Sequence, residues 1–229
     1  MKNHFLPGSL AFAFLFILSN CGSSDYNKEG ESGDSATEKK EVKSTFTGGT
    51  VVGVTHEVED YATWLKVYNE TSNPDARISH YINVDNPREI ILFELSVSHE
   101  KAMEEMNNEE RKEAVRRAGV LSEPEILYFD IKYMNADVTE DQYRLMVRHE
   151  VSDFDSWKEK FDSGVDKRNE AGLTLRGMGT SNDNGNMVTV FLSTNNLDAA
   201  REMVANMNLS EAGVVSDPII KFYQVPDSN

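Results

Sequence analysis

The nine residues from His56 to Trp64, His-Glu-Val-Glu-Asp-Tyr-Ala-Thr-Trp, recur from His149 to Trp157 as His-Glu-Val-Ser-Asp-Phe-Asp-Ser-Trp, with five identities and two conservative exchanges. A second echo closes each copy: Ala118-Gly119-Val120-Leu121-Ser122-Glu123-Pro124 against Ala212-Gly213-Val214-Val215-Ser216-Asp217-Pro218. The two echoes bracket a unit of about 90 residues, so the folded part of this chain is one plan used twice.

Within each unit the hydrophobic period changes in the same order. Alternating β-branched and apolar residues from Thr50 to Val58, and from Tyr143 to Val151, predict half-buried strands. A helix follows in each copy. Tyr61, Trp64, Leu65 and Tyr68 make one aromatic stripe, and Phe154, Trp157 and Phe161 make the other. Ser152 followed by Asp155 suggests a cap for the second helix. Two hairpins come next: Ile78 to Val84 with Glu89 to Leu95, and Leu173 to Thr180 with Met187 to Ser193. Their loops hold Asp85-Asn86-Pro87 and Asn184-Gly185. Helical stretches over Ser98 to Ala118 and Asn196 to Met207 precede last strands over Ile126 to Tyr133 and Ile219 to Val225.

The order β-α-β-β-α-β, twice, predicts an α+β chain of two tandem ferredoxin-like modules, residues 50–134 and 142–226, joined by Asn135 to Asp141. Each module is a four-stranded antiparallel sheet with helices on one face and the other face bare. Two bare faces on one chain can close into an intramolecular, pseudo-dimeric α/β barrel, so a monomer is expected.

In each copy a strand ends in His-x-Val, and Asp-Tyr/Phe-x-x-Trp-x-x-x-Tyr/Phe then opens a helix: His56, Val58, Asp60, Tyr61, Trp64 and Tyr68, then His149, Val151, Asp153, Phe154, Trp157 and Phe161. Over residues 50–226 this pattern resembles the dimeric α/β-barrel superfamily of the antibiotic biosynthesis monooxygenase type. The resemblance implies a barrel around a central cavity. Some relatives are cofactor-free oxygenases acting on electron-rich aromatic substrates, some bind or degrade haem, and many have no assigned activity. No catalytic set of a characterised branch maps onto this sequence, so no catalytic residue is carried over, no cofactor is expected and the question of enzyme activity stays open. The expected function is binding of a small molecule or a partner. The alternative is a cofactor-free monooxygenase-like enzyme acting on a small aromatic or anionic substrate in the barrel.

The N-terminus carries a different signal. Lys2 and the apolar run from Phe5 to Leu18 read as a secretory signal peptide, residues 1–20. Leu18-Ser19-Asn20-Cys21 resembles the bacterial lipobox, with Asn20 departing from the usual small residue, and makes Cys21 the expected lipidation site. Residues 21–49 have the polar composition of a tether. Ser23-Ser24-Asp25, followed by Glu29, Glu31 and Asp34, looks like the export signal of surface-exposed lipoproteins in Bacteroidetes. The expectation is a cell-envelope protein held to the lipid bilayer through Cys21, in the outer membrane and exposed at the surface. Cys21 is the only cysteine, so no intramolecular disulfide can form. A formal charge of −16 argues against a nucleic-acid partner, because phosphate binding needs a basic face.

Five residues are read as ligand-binding candidates. Arg144, Arg148 and Glu150 share one face of a strand with Met146, and Tyr81 and Arg176 are possible contributors from the second strands. Guanidiniums beside apolar walls suit an anionic or carboxylate-bearing ligand, and the bland alternative is a salt-bridged barrel interior. His56 and His149 are candidates for acid-base work or ligation. Each is in phase with apolar strand positions, so the alternative is a packed histidine hydrogen-bonded to the helix start. No spacing enforces a metal site from His56, His80 and His149. Trp64 and Trp157 read as core, and Arg111 to Arg117, interleaved with Glu109, Glu110 and Glu113, reads as a solvated helix face. Sequence periodicity leaves open which strand face lines the barrel.

Overall fold

A computed structural model of the protein describes residues 50–135, 137, 139–207 and 212–227. The signal run, Cys21 and the tether lie outside the described residues.

The first module contains β1 (Thr50–Glu57), α1 (Tyr61–Thr71), β2 (Arg77–Asn83), β3 (Glu89–Ser96), α2 (His99–Met106), α3 (Glu109–Arg117) and β4 (Glu125–Met134). The second contains β5 (Tyr143–Glu150), α4 (Phe154–Ser163), α5 (Val165–Glu170), β6 (Thr174–Ser181), β7 (Met187–Thr194), α6 (Leu197–Ala205) and β8 (Ile219–Gln224). All eight expected strands are present. The stretch read as one helix from Ser98 to Ala118 is two, because Asn108 leaves the helix and its side chain accepts from Glu110 N–H to start α3.

Helix starts explain part of the repeated motif. Asp60 and Asp153 are the N-caps of α1 and α4, accepting from Thr63 and Ser156 N–H at 2.8 Å each. The cap of the second helix is therefore Asp153, one residue after the expected Ser152. Each aspartate takes up an N–H of the first turn that has no partner within the helix. The second echo is a return to the first strand. Gly119 and Gly213 sit at φ 69° and 84°, a left-handed turn that favours glycine. Val120 and Val214 bridge Val58 and Val151. The hydroxyls of Ser122 and Ser216 accept from Glu57 and Glu150 N–H at 3.0 and 2.8 Å. Both echoes thus encode the same junction, where β1 or β5 ends and the chain comes back beside it.

The strands form one closed antiparallel ring in the order β1-β3-β2-β8-β5-β7-β6-β4. Each module contributes four neighbours, and the seams are β2 with β8 and β4 with β6. Strands four places apart, β1 and β5 or β2 and β6, face one another across the barrel and run the same way. Alternation then sorts the side chains. Val52, Val54 and Val58 face outward against Trp64 and Tyr68 of α1, and Leu145, Val147 and Val151 pack with Trp157 of α4. Inward-facing Val51, Ile91, Phe93, Phe129, Met146 and Tyr223 form a third core inside the ring. Gly53 belongs to that interior: a Cβ there would lie 2.9 Å from the Phe129 ring and 3.1 Å from Phe93, so glycine is what lets the two rings pack.

Candidate functional site: a cavity at one end of the barrel

β1, β2, β5 and β6 all begin at the same end of the ring, and there the interior is not filled. A cavity of about 310 Å³ opens between Val51, Tyr81, Phe93, Phe129, Arg144, Arg176 and Phe191. Its walls are largely aromatic. Phe93 meets Phe191 edge to face at 4.8 Å between centroids, with Phe129 and Tyr81 each 6.5 Å from Phe93.

The space has a local cause in the sequence. On β2 the inward positions are Ser79 and Tyr81, which pair with Phe93 and Ile91. On β6 the corresponding positions are Gly177 and Gly179, pairing with Phe191 and Thr189. Gly179 is required by backbone, since a Cβ would approach Asp130 O to 3.0 Å. Gly177 is not: a Cβ would meet nothing nearer than 3.9 Å, so this glycine leaves the cavity open without being needed for the fold.

Three of the ligand-binding candidates meet here. Arg144, 7 % exposed, stands with its guanidinium 5.2 Å from the centre of the Tyr81 ring. It donates to Asp141 O and Tyr143 O at 2.6 and 2.9 Å, and among the described residues no carboxylate pairs with it. Arg176 reaches the cavity because the pairing of β6 with β7 slips between Leu175 and Gly177, a bulge that turns the extra residue inward. Its guanidinium donates to Asp137 O. Among the described residues that line it there is no carboxylate, imidazole or thiol.

The other two candidates are elsewhere. Arg148 and Glu150 share the inward phase of Arg144, but a strand rises about 3.3 Å per residue, so they lie roughly 13 to 20 Å further along. Arg148 pairs with Glu125 at 3.0 Å, and Glu150 accepts from the Asn184 side chain at 3.0 Å, as Glu57 does from Asn86 at 2.7 Å. At that far end Glu89 takes Lys221 at 2.8 Å, Asn83 at 2.8 Å and the Tyr223 hydroxyl at 3.2 Å. Burial, with Glu89 beside it, pushes the Tyr223 phenol well up. The salt-bridged interior thus describes one end of the barrel, and guanidiniums bonded to carbonyls, with no carboxylate partner among the described residues, describe the other.

His56 and His149 are on the outside of the barrel wall, beneath the helices, and do not line the cavity. They are 5 % and 3 % exposed, with ring centroids 5.9 and 5.4 Å from Trp64 and Trp157. The packing matches the bland expectation, but the expected hydrogen bond to the helix start is missing: neither ring nitrogen of either histidine has a partner. Burial pushes both imidazoles down to about 4, with the Arg111 charge adding to the effect on His56. His80 also packs on Trp64 from outside and takes a hydrogen bond with the Tyr61 hydroxyl at 2.9 Å. Among the described residues no three His, Cys, Asp or Glu side chains are grouped to hold a metal. The basic stretch of α3 is largely solvated, with Lys112 and Arg116 paired within the helix, while Arg111 reaches the buried Glu94 at 2.8 Å.

No protein-family model matches the sequence, and no curated protein matches it. Solved structures do share its fold. An anthrone oxidase-like protein superposes with a TM-score of 0.55 at 13 % identity, over 79 % of this chain and 92 % of that one. A protein named as a candidate chlorite dismutase gives 0.54 at 13 %, over 78 % and 95 %. One named as a candidate monooxygenase from Lactobacillus acidophilus gives 0.51 at 14 %, over 77 % and 93 %. Shares this large need both modules at once, so each of these single chains spans the whole barrel. At such identities the likeness shows the fold alone.

Proposed function

We propose, for a chain that folds as a single-chain α/β barrel, that the cavity binds a small amphipathic molecule with an anionic group and a flat apolar body. The observation that carries this reading is Arg144, a buried guanidinium with no carboxylate partner, set beside an aromatic-walled space. Buried charges are normally paired, and an anion would supply the missing partner. Apolar walls with a few polar groups are also the usual make-up of a small-molecule site.

The lipobox-like Leu18 to Cys21 and the polar tether place this binding protein, in our reading, at the bacterial envelope, lipid-anchored and in the outer membrane.

The test is fluorescence or calorimetric titration of the protein with 2-naphthoate, an aromatic monocarboxylate. Binding is expected, with a loss of about tenfold or more in Arg144→Ala, the cost of one charge-assisted contact. Gly177→Met should abolish it by filling the cavity while leaving the thermal midpoint within a few degrees. Binding that survives Gly177→Met unchanged would place the ligand elsewhere and sink the reading.

A further inference from the structure

The two modules are related residue by residue, and the pairing registers fix the correspondence around the cavity. Val51 of β1 occupies the place of Arg144 on β5, since they stand at equal distances before His56 and His149. Phe93 corresponds to Phe191. Ile78 corresponds to Arg176, because each is the extra residue of a bulge, one between Arg77 and Ser79 and the other between Leu175 and Gly177. Both bulges turn their residue into the cavity. At the two places where the second module supplies guanidiniums, the first supplies Val51 and Ile78.

These positions face each other across the ring, β1 opposite β5 and β2 opposite β6. The cavity is therefore one shared space on the pseudo-symmetry axis with charge on one side. Among the described lining residues no other cation compensates on the first module's side. Arg77, next to Ile78, turns outward, where the carbonyls of Tyr68, Asn69 and Ser72 take its guanidinium.

We propose that the site is selective for monoanions and holds them in one orientation, the anionic group on the second module's wall and the apolar end against Val51 and Ile78. The proposal rests on the binding function proposed above and narrows its ligand class. A molecule with a second carboxylate at its far end would bury that charge against Val51 and Phe129, each 4 % exposed, without a partner, which is strongly unfavourable. A symmetric barrel would accept either end, and this one distinguishes them.

The experiment compares 2-naphthoate with 2,6-naphthalenedicarboxylate, the same flat body with one or two charges. The natural protein is expected to prefer the monoanion by about tenfold or more. Ile78→Arg adds a guanidinium on the opposite wall at a position already 43 % exposed, where the substitution is compatible with folding. It should raise affinity for the dicarboxylate by about tenfold and erase the preference. Equal binding of the two probes by the natural protein overturns the selectivity, as does an Ile78→Arg variant with unchanged dicarboxylate affinity. Failure of both probes to bind the natural protein overturns the binding function itself, and the selectivity with it.

Discussion

Acidifying the protein from pH 7 to pH 4 is expected to lower its stability by about 6 kcal/mol, about 3 from each of two buried histidines. His56 and His149 are neutral in the folded state and held near 4, against about 6.5 when the chain is unfolded. Between those values the unfolded chain binds protons that the folded chain refuses, so stability falls as pH drops through 6.5 and levels off below 4. His80, also pushed down by burial, acts in the same direction. The loss is comparable to the whole stability of many domains, so unfolding is expected before most carboxylates titrate. Replacing both residues, His56→Leu and His149→Leu, removes four polar atoms that have no hydrogen-bond partner and should raise stability at pH 7.5 as well. Urea melts at pH 7.5 and 5.0, between which about 4 kcal/mol of the loss is expected, check both points. A pH dependence that persists undiminished in the double variant would show that other groups carry it.

The second large effect concerns the tryptophans beside those histidines. Trp64 and Trp157 are 2 % and 3 % exposed and stack on Tyr68 and Phe161 at centroid distances of 5.0 and 5.1 Å. Trp64→Ala or Trp157→Ala should each cost about 3 to 5 kcal/mol, the range for emptying a buried aromatic site. Because the modules share the seams β2 with β8 and β4 with β6, either loss is expected to weaken the entire barrel. Single-tryptophan variants make this measurable, since Trp64→Phe leaves Trp157 as the only reporter of the second module, and the converse holds. Fluorescence and far-UV circular dichroism should give one urea midpoint in each variant. Two separated transitions would mean that the halves unfold independently.

Much of the fold was legible because the repeat shows the change from period two to period 3.6 twice, in the same order. The site was legible only in part. Periodicity placed His56 with Val54 and Val58 but could not say that this face lies under a helix, because in a barrel both faces of a strand are buried and both are apolar. It grouped Arg144 with Arg148 by phase, and phase carries no information about position along the barrel. The bulges that turn Ile78 and Arg176 inward leave no mark in composition. Gly177 and Gly179, which make the space, fall inside the stretch read as one strand from Leu173 to Thr180, and only their location opposite Ser79 and Tyr81 gives them meaning. Phe93, Phe129 and Phe191 read simply as strand residues, although together they form the aromatic wall.

A crystal structure of the protein soaked with 6-bromo-2-naphthoate tests the central claim most directly, because anomalous scattering locates the bromine without ambiguity. A single bromine peak inside the barrel beside Val51 and Ile78, with the carboxylate on the side of Arg144 and Arg176, is the predicted result. An empty cavity with bromine only on the outer surface would contradict it.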